Sequence, residues 1–143
     1  MDDPSLARAV EQVAANPGFL AELRNILDEA DADARRQGLE CLACGKCCLF
    51  GQFGHRLYVT TGELALLRMA GGAVADKPSD GRCPHYNAGR CTARGARALG
   101  CRLFYCDPAG QRWFPDAYER FHQCIKRLHE RHGVPYFYVD FSR

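Results

Sequence analysis

The sequence predicts a small single domain of the α+β class that is mostly helical, and three observations support this prediction. Apolar residues recur with helical period in the first 40 of the 143 residues and again in the last 30, while strand-like patterns are few and short. The segment between them is irregular and rich in cysteine. We expect an N-terminal helical hairpin over residues 1–40 and a cysteine-cluster metal-binding domain over residues 41–143, packed as one compact unit.

Two helices are predicted at the start of the chain. The dipeptides Asp3-Pro4 and Asn16-Pro17 each place a capping residue before a proline, which is typical of a helix start. They predict helices over residues 4–15 and from residue 16 to about Arg36, where Gly38 is the stop signal. The apolar stripes are Leu6, Val10 and Val13 in the first helix and Phe19, Leu20, Leu23, Ile26, Leu27 and Ala30 in the second.

A short strand and a third helix follow the first cysteines. The pattern RLYVT at residues 56–60 favours a strand. Thr60 and Glu63 have the spacing of a capping box, which predicts a helix that Gly71-Gly72 ends. The apolar side of this helix consists of Leu64, Leu67 and Met69.

The rest of the chain is irregular until its last thirty residues. Residues 71–114 show no sustained period apart from a strand pattern at Leu103–Tyr105, and we expect a bound metal to organise them. A helix is predicted from Pro115 to His132 and a strand over residues 135–141 (PYFYVDF). The apolar face of that helix comprises Ala117, Tyr118, Phe121, Cys124, Ile125 and Leu128.

Composition favours a cytoplasmic protein whose cysteines bind metal. No basic N-terminal region followed by an apolar run is present, and we expect no membrane segment. In the cytosol thiols stay reduced, and nine cysteines is an odd number, so a complete disulfide framework is disfavoured. Net charge is about −5 over residues 1–40 and about +7 over residues 41–143. Arginines near thiolates account for this asymmetry better than a nucleic-acid partner does.

The segment CLACGKCC at residues 41–48 contains the strongest motif. Cys41, Cys44 and Cys47 have a C-x2-C-x2-C spacing, which lets one loop turn three sulfurs and several backbone N–H groups toward a single centre. Cys83 is followed by proline, as is the distant ligand in bacterial ferredoxin loops. We therefore expect Cys41, Cys44, Cys47 and Cys83 to hold a [4Fe-4S] cluster.

Zinc is the alternative metal. A C-x2-C pair is equally half of a four-thiolate zinc site, and Cys91, Cys101 and Cys106 can supply further ligands. The spacing alone does not separate the two metals.

Cys48 raises the question of a second centre. Side chains of adjacent residues diverge, so Cys47 and Cys48 do not readily bind one ion together. Cys48 either faces the core as a small apolar residue or joins a second centre with Cys91, Cys101 and Cys106. We expect the remaining cysteine, Cys124, to be a buried and inert thiol.

The histidines are weaker candidates. His55 and His85 lie near the cysteine motifs and can serve as ligands or proton donors, although an ordinary hydrogen-bonded role is commoner for a lone histidine. His129 and His132 are predicted to be solvated. Arg102, next to Cys101, is expected to offset thiolate charge.

The segments CLACGKCC, CPHYNAGRC and RALGCRLFYC resemble the CxxCxxCC zinc- or iron-chelating proteins, also called YkgJ-type cysteine cluster proteins. The resemblance implies metal ligation by the cysteines that match the pattern. It departs from the family at Ala98, where the family has proline. The presumed ligands are Cys41, Cys44, Cys47, Cys48, Cys83, Cys91, Cys101 and Cys106.

Some members of this family are flagellin lysine methylases, but this sequence has no glycine-rich S-adenosylmethionine loop, so that activity is not carried over. We expect a protein with an iron-sulfur cluster that acts in electron transfer, or as an accessory or maturation partner of another protein. The alternatives are a structural zinc module that mediates protein interaction and a small iron-dependent enzyme.

Overall fold

The computed structural model describes residues 3–39, 57–71, 86–87, 90–91, 94–103 and 108–141, and this part of the chain is mostly helical with two small antiparallel sheets. The predicted class, α+β and mostly α, is confirmed. The elements in order are α1 Pro4–Ala14, α2 Pro17–Arg36, β1 Tyr58–Thr60, α3 Thr61–Gly71, β2 Tyr86–Asn87, β3 Arg90–Cys91, a 3-10 turn Arg94–Ala96, α4 Leu99–Leu103, α5 Pro108–His132 and β4 Tyr138–Asp140.

The two N-terminal helices start and stop where the sequence predicts. The side chain of Asp3 accepts a hydrogen bond from the backbone N–H of Ser5 at 2.8 Å, and that of Asn16 accepts one from Phe19 at 3.0 Å. Each bond satisfies one of the N–H groups that a helix start leaves without a partner. After α2 the chain turns through Gly38 at φ +75°, a conformation that glycine adopts without strain.

One hydrophobic core joins the helices on both sides of the cysteine-rich segments. Helix α1 packs on α3, and α2 packs on α4 and α5, so the apolar stripes of the helices face one another. Ile26 is only partly buried, and Ala34 extends the buried stripe of α2 instead. The most deeply buried apolar side chains are Leu6, Val13, Phe19, Leu23, Leu27, Leu64, Leu99, Leu103, Ile125 and Leu128.

The C-terminal strand closes the core by pairing with the first strand. Strands β1 and β4 are antiparallel, with Val59 opposite Val139. Two further backbone bonds extend the pairing, from Thr61 N to Phe137 O at 3.1 Å and from Phe141 N to Leu57 O at 2.6 Å. Both predicted strands therefore exist, although each is only three residues long.

Two sequence predictions for the second half were wrong. Leu103 ends helix α4 rather than starting a strand, because Leu99 and Leu103 are buried on one helical face and Arg102 N bonds to Ala98 O. Residues 104 and 105 lie outside the described residues. Helix α5 starts at Pro108, and Pro115 lies inside it. Pro115 is exposed, so water can replace the hydrogen bond that proline lacks.

No helix within the described ranges is long and apolar enough to cross a membrane.

Candidate functional site

The structure places the side chain of one presumed ligand, Cys101, and the backbone of a second, Cys91. Cys91 ends β3, which returns antiparallel to β2 so that Cys91 lies opposite Tyr86. Cys101 lies in α4, packed against the core but only partly buried, a position compatible with ligation. The other presumed ligands and the nearby histidines lie outside the described residues: Cys41, Cys44, Cys47, Cys48, Cys83, Cys106, His55 and His85.

The predicted clustering of thiolates therefore stays a prediction. Within the described ranges no three Cys, His, Asp or Glu side chains converge on a common point. What the structure does describe is the framework that holds Cys101.

Glu63 is the first part of that framework. Its side chain is only 2% exposed, and its two oxygens accept hydrogen bonds from two different helix starts. Oε2 accepts from the N–H of Thr60 at 2.7 Å and from its hydroxyl at 2.9 Å, while the hydroxyl of Thr60 accepts from Glu63 N at 3.3 Å. Oε1 accepts from the N–H of Leu99, the first residue of α4, at 2.7 Å. One carboxylate thus completes the predicted capping box of α3 and also caps the helix that contains Cys101.

The electrostatics of Glu63 combine opposing effects. Burial raises the pKa of this carboxyl above its ordinary value, because a charge loses its hydration there. The hydrogen bonds donated by Thr60 and Leu99, and the positive charge of Arg102, act in the opposite direction. All the groups that contact its oxygens are donors, an arrangement that suits an ionised carboxylate.

Arg102 is the second part of the framework. It is 4% exposed, and Nη1 binds Asp31 of α2 at 2.6 Å. Nε donates to Arg97 O at 2.7 Å and Nη2 donates to Gly95 O at 3.0 Å. The guanidinium therefore ties α4 to α2 and to the preceding turn, while its expected effect on thiolate charge stays a prediction.

Close packing is the third part. A Cβ atom at Gly100 would lie 2.8 Å from Cδ1 of the buried Leu57, closer than real side-chain contacts, so a larger residue at position 100 would force the Leu57 side chain to shift. Ala98, where the family has proline, is buried, and its carbonyl accepts the helical hydrogen bond from Arg102 at 3.2 Å. Alanine therefore makes the turn into α4 without proline. Cys101 lies in a helix held by a cap, an ion pair and a tight contact.

The histidines of α5 are not solvated as predicted. His129 is 1% exposed, because it continues the stripe of Ile125 and Leu128 and meets the Phe19 ring edge-on at 4.8 Å. Its Nδ1 lies 3.3 Å from Val134 O, and burial lowers its pKa. His132 is partly buried and its Nε2 bonds to Glu22 of α2. Cys124, predicted to be buried, is partly exposed.

The sequence did not predict the long-range partners of Glu63 and Arg102. The Thr60–Glu63 spacing showed the local capping box, but no sequence signal shows that the same carboxylate reaches Leu99, 36 residues away. The Asp31–Arg102 pair spans 71 residues, and no sequence signal predicts it either.

Comparisons with models of known protein families, with curated proteins and with solved structures find no match to this chain. The resemblance to cysteine cluster proteins therefore rests on the residues and spacings of its motifs alone.

Proposed function

We propose that this chain is a cysteine-ligated metalloprotein that carries a [4Fe-4S] cluster on Cys41, Cys44, Cys47 and Cys83. The observation that carries the proposal is the C-x2-C-x2-C run together with a distant cysteine followed by proline. Four thiolates fill the ligand positions of such a cluster, and the loop amides of residues 41–48 would donate hydrogen bonds to its sulfurs.

We also propose that Cys101 belongs to a metal site, and the framework around α4 supports this. A metal ligand must be held in place before the metal arrives if affinity is not to be lost in ordering it. Glu63, Arg102 and Gly100 hold the backbone of Cys101 from three directions while its side chain stays partly exposed. A second centre would then use Cys101 with Cys48, Cys91 and Cys106.

The role we propose is electron transfer, or accessory service to a protein partner, in the cytoplasm. A cluster that is closed by four protein thiolates has no open position for a substrate, so it exchanges electrons rather than binding a reactant. A structural zinc module is the second candidate. It predicts stoichiometric zinc, no sulfide and a colourless protein that unfolds on chelation.

Ligand variants test the proposal after anaerobic purification. We expect the change of Cys41, Cys44, Cys47 or Cys83 to serine, one at a time, to lower the visible charge-transfer absorption and to remove iron and acid-labile sulfide together. Cys124→Ser is the matched control and should keep the full content of both. If Cys48→Ser and Cys101→Ser each remove the same fraction of the total metal and leave the rest bound, two centres are present. Unchanged iron and sulfide in the first four variants would refute the assignment.

A further inference from the structure

Four tyrosines and one histidine form a continuous group between α5 and the β1–β4 sheet. This tyrosine–histidine cluster consists of Tyr58, Tyr118, His122, Tyr136 and Tyr138. Two short hydrogen bonds lie inside it: Tyr118 Oη and Tyr138 Oη are 2.6 Å apart, and His122 Nε2 and Tyr136 Oη are 2.6 Å apart. Four of the six tyrosines of the chain are in this one group.

Local geometry explains how the five residues meet. Tyr118 and His122 are four residues apart on α5 and so share a helical face. Tyr136 and Tyr138 are two residues apart in extended chain and share a side of it. Tyr58 is a diagonal neighbour of Tyr138 in the β1–β4 register, with ring centroids 5.3 Å apart. The ring of Tyr138 also stacks on His122 at 4.7 Å.

The cluster connects the helix of Cys101 with the surface. At its inner end, Tyr118 Cε2 lies 3.9 Å from the position of a Cβ at Gly100, the residue before Cys101. At its outer end the side chains of Tyr58 and Tyr138 are 39% and 40% exposed.

We propose that the tyrosine–histidine cluster is a relay that carries single electrons between α4 and the surface, with phenolic protons moving along its two hydrogen bonds. The electron donor at the α4 end rests on the proposed function, since it would be an iron-sulfur centre at the second site proposed for Cys101. The formation of a tyrosyl radical in the cluster does not depend on it.

The protonation states suit this role. Burial raises the pKa of Tyr136 to about 12 and also raises the pKa of Tyr118 and Tyr138, so these phenols are neutral at pH 7. Burial, reinforced by Lys126, lowers the pKa of His122, which is therefore a neutral base whose Nε2 can accept the hydrogen bond of Tyr136. Oxidation of a neutral phenol requires a nearby proton acceptor, and His122 supplies it.

A one-electron oxidant at the surface takes an electron from Tyr136, which is itself partly exposed, and the hydroxyl proton moves to His122 Nε2, which leaves a neutral tyrosyl radical and an imidazolium. Tyr138 then reduces this radical, the proton returns from His122 to Tyr136, and exposed Tyr138 releases its own proton to water. Tyr118 next gives an electron and its hydroxyl proton to Tyr138 across the 2.6 Å contact. Tyr118 would finally be reduced from the α4 side and regain one proton from water through Tyr138. The net change is one electron passed from the donor to the oxidant.

Flash oxidation of the full-length protein tests the relay, with photogenerated tris(bipyridine)ruthenium(III) as the oxidant. We expect a neutral tyrosyl radical in the wild type, seen by transient absorption and by electron paramagnetic resonance. Loss of the base in His122→Asn should slow its formation by about 100-fold or more, and Tyr136→Phe should do the same. Glu130→Gln changes an exposed side chain of α5 outside the cluster, so it is the matched control and should match the wild type. Circular dichroism of each variant checks the fold.

Equal rates in the wild type, His122→Asn and Tyr136→Phe would overturn the relay. A flash that produces neither a tyrosyl radical nor a change in the iron-sulfur absorption would do the same. Iron and sulfide measured on the same samples separate these outcomes from the proposed function. A radical in a protein without iron and sulfide would support the relay and refute the iron-sulfur centre as its donor. Iron and sulfide with neither a radical nor a change in absorption would support the iron-sulfur centre and refute the relay.

Discussion

Glu63 should be one of the most important side chains for stability, because its carboxylate caps both α3 and α4. In Glu63→Ala the N–H groups of Thr60 and Leu99 lose their acceptor inside the protein. Each buried unsatisfied group costs about 1–3 kcal/mol, which predicts a loss of about 3–5 kcal/mol once partial relaxation is allowed. In Glu63→Gln one amide oxygen serves one donor while the amide NH2 group faces the other, so the expected loss is about 1–3 kcal/mol.

The measurement is urea unfolding at pH 7, followed by far-ultraviolet circular dichroism and by the fluorescence of Trp113. Glu29→Gln is the matched control, because Glu29 is 62% exposed and its ion pair with Arg36 lies at the surface of α2. That variant should stay within about 0.5 kcal/mol of the wild type. If Glu63→Gln were as stable as the wild type, the buried charge would be a net cost that its hydrogen bonds do not exceed, and the double-cap argument would fail.

Three further perturbations follow from the same contacts. Gly62→Ala places a Cβ 2.8 Å from an aromatic ring of α2 and should cost about 1–3 kcal/mol in urea unfolding, whereas Gly18→Ala, with its nearest contact at 3.5 Å, should be neutral or slightly stabilising. Burial lowers the pKa of His129 below its ordinary 6.5, so its contribution to stability is complete above pH 6.5 and declines as the pH falls. The free energy of unfolding should drop by up to about 1.4 kcal/mol per pH unit in that range, and His129→Gln should flatten this slope. The lysine in Arg102→Lys cannot reach three acceptors, so the free energy of unfolding should fall by about 2–3 kcal/mol. The exposed Arg131→Lys is the control and should change it little. Equal losses of the two variants in thermal unfolding would contradict the role of Arg102 in holding α4.

The helices were predictable where their signals are local. A cap, a proline in the first turn and an apolar stripe lie within one or two turns of chain, so α1, α2 and the start of α3 follow from the sequence. Helix α4 was missed because five residues are too few to show a period, and it is held by Glu63 and Arg102 rather than by its own propensity. Pro115 was wrongly taken as a start because the local signal for a helix start and that for a tolerated internal proline are the same.

For the candidate site, too, local patterns were predictable from the sequence and tertiary contacts were not. The cysteine spacing is a local pattern and predicts metal ligation, but which thiolates share a centre depends on tertiary structure. His129 shows how composition misleads: a histidine near a helix end is usually solvated, yet here the stripe of Ile125 and Leu128 continues through it into the core. The contacts that hold Cys101 join residues 36 and 71 positions apart, and nothing in a single sequence pairs them.

Metal and acid-labile sulfide analysis of anaerobically purified protein decides between an iron-sulfur protein and a zinc protein. We expect a brown protein with a broad visible absorption that contains iron and sulfide in equal amounts, about four of each for every iron-sulfur cluster. A colourless protein that contains stoichiometric zinc and no sulfide would contradict it.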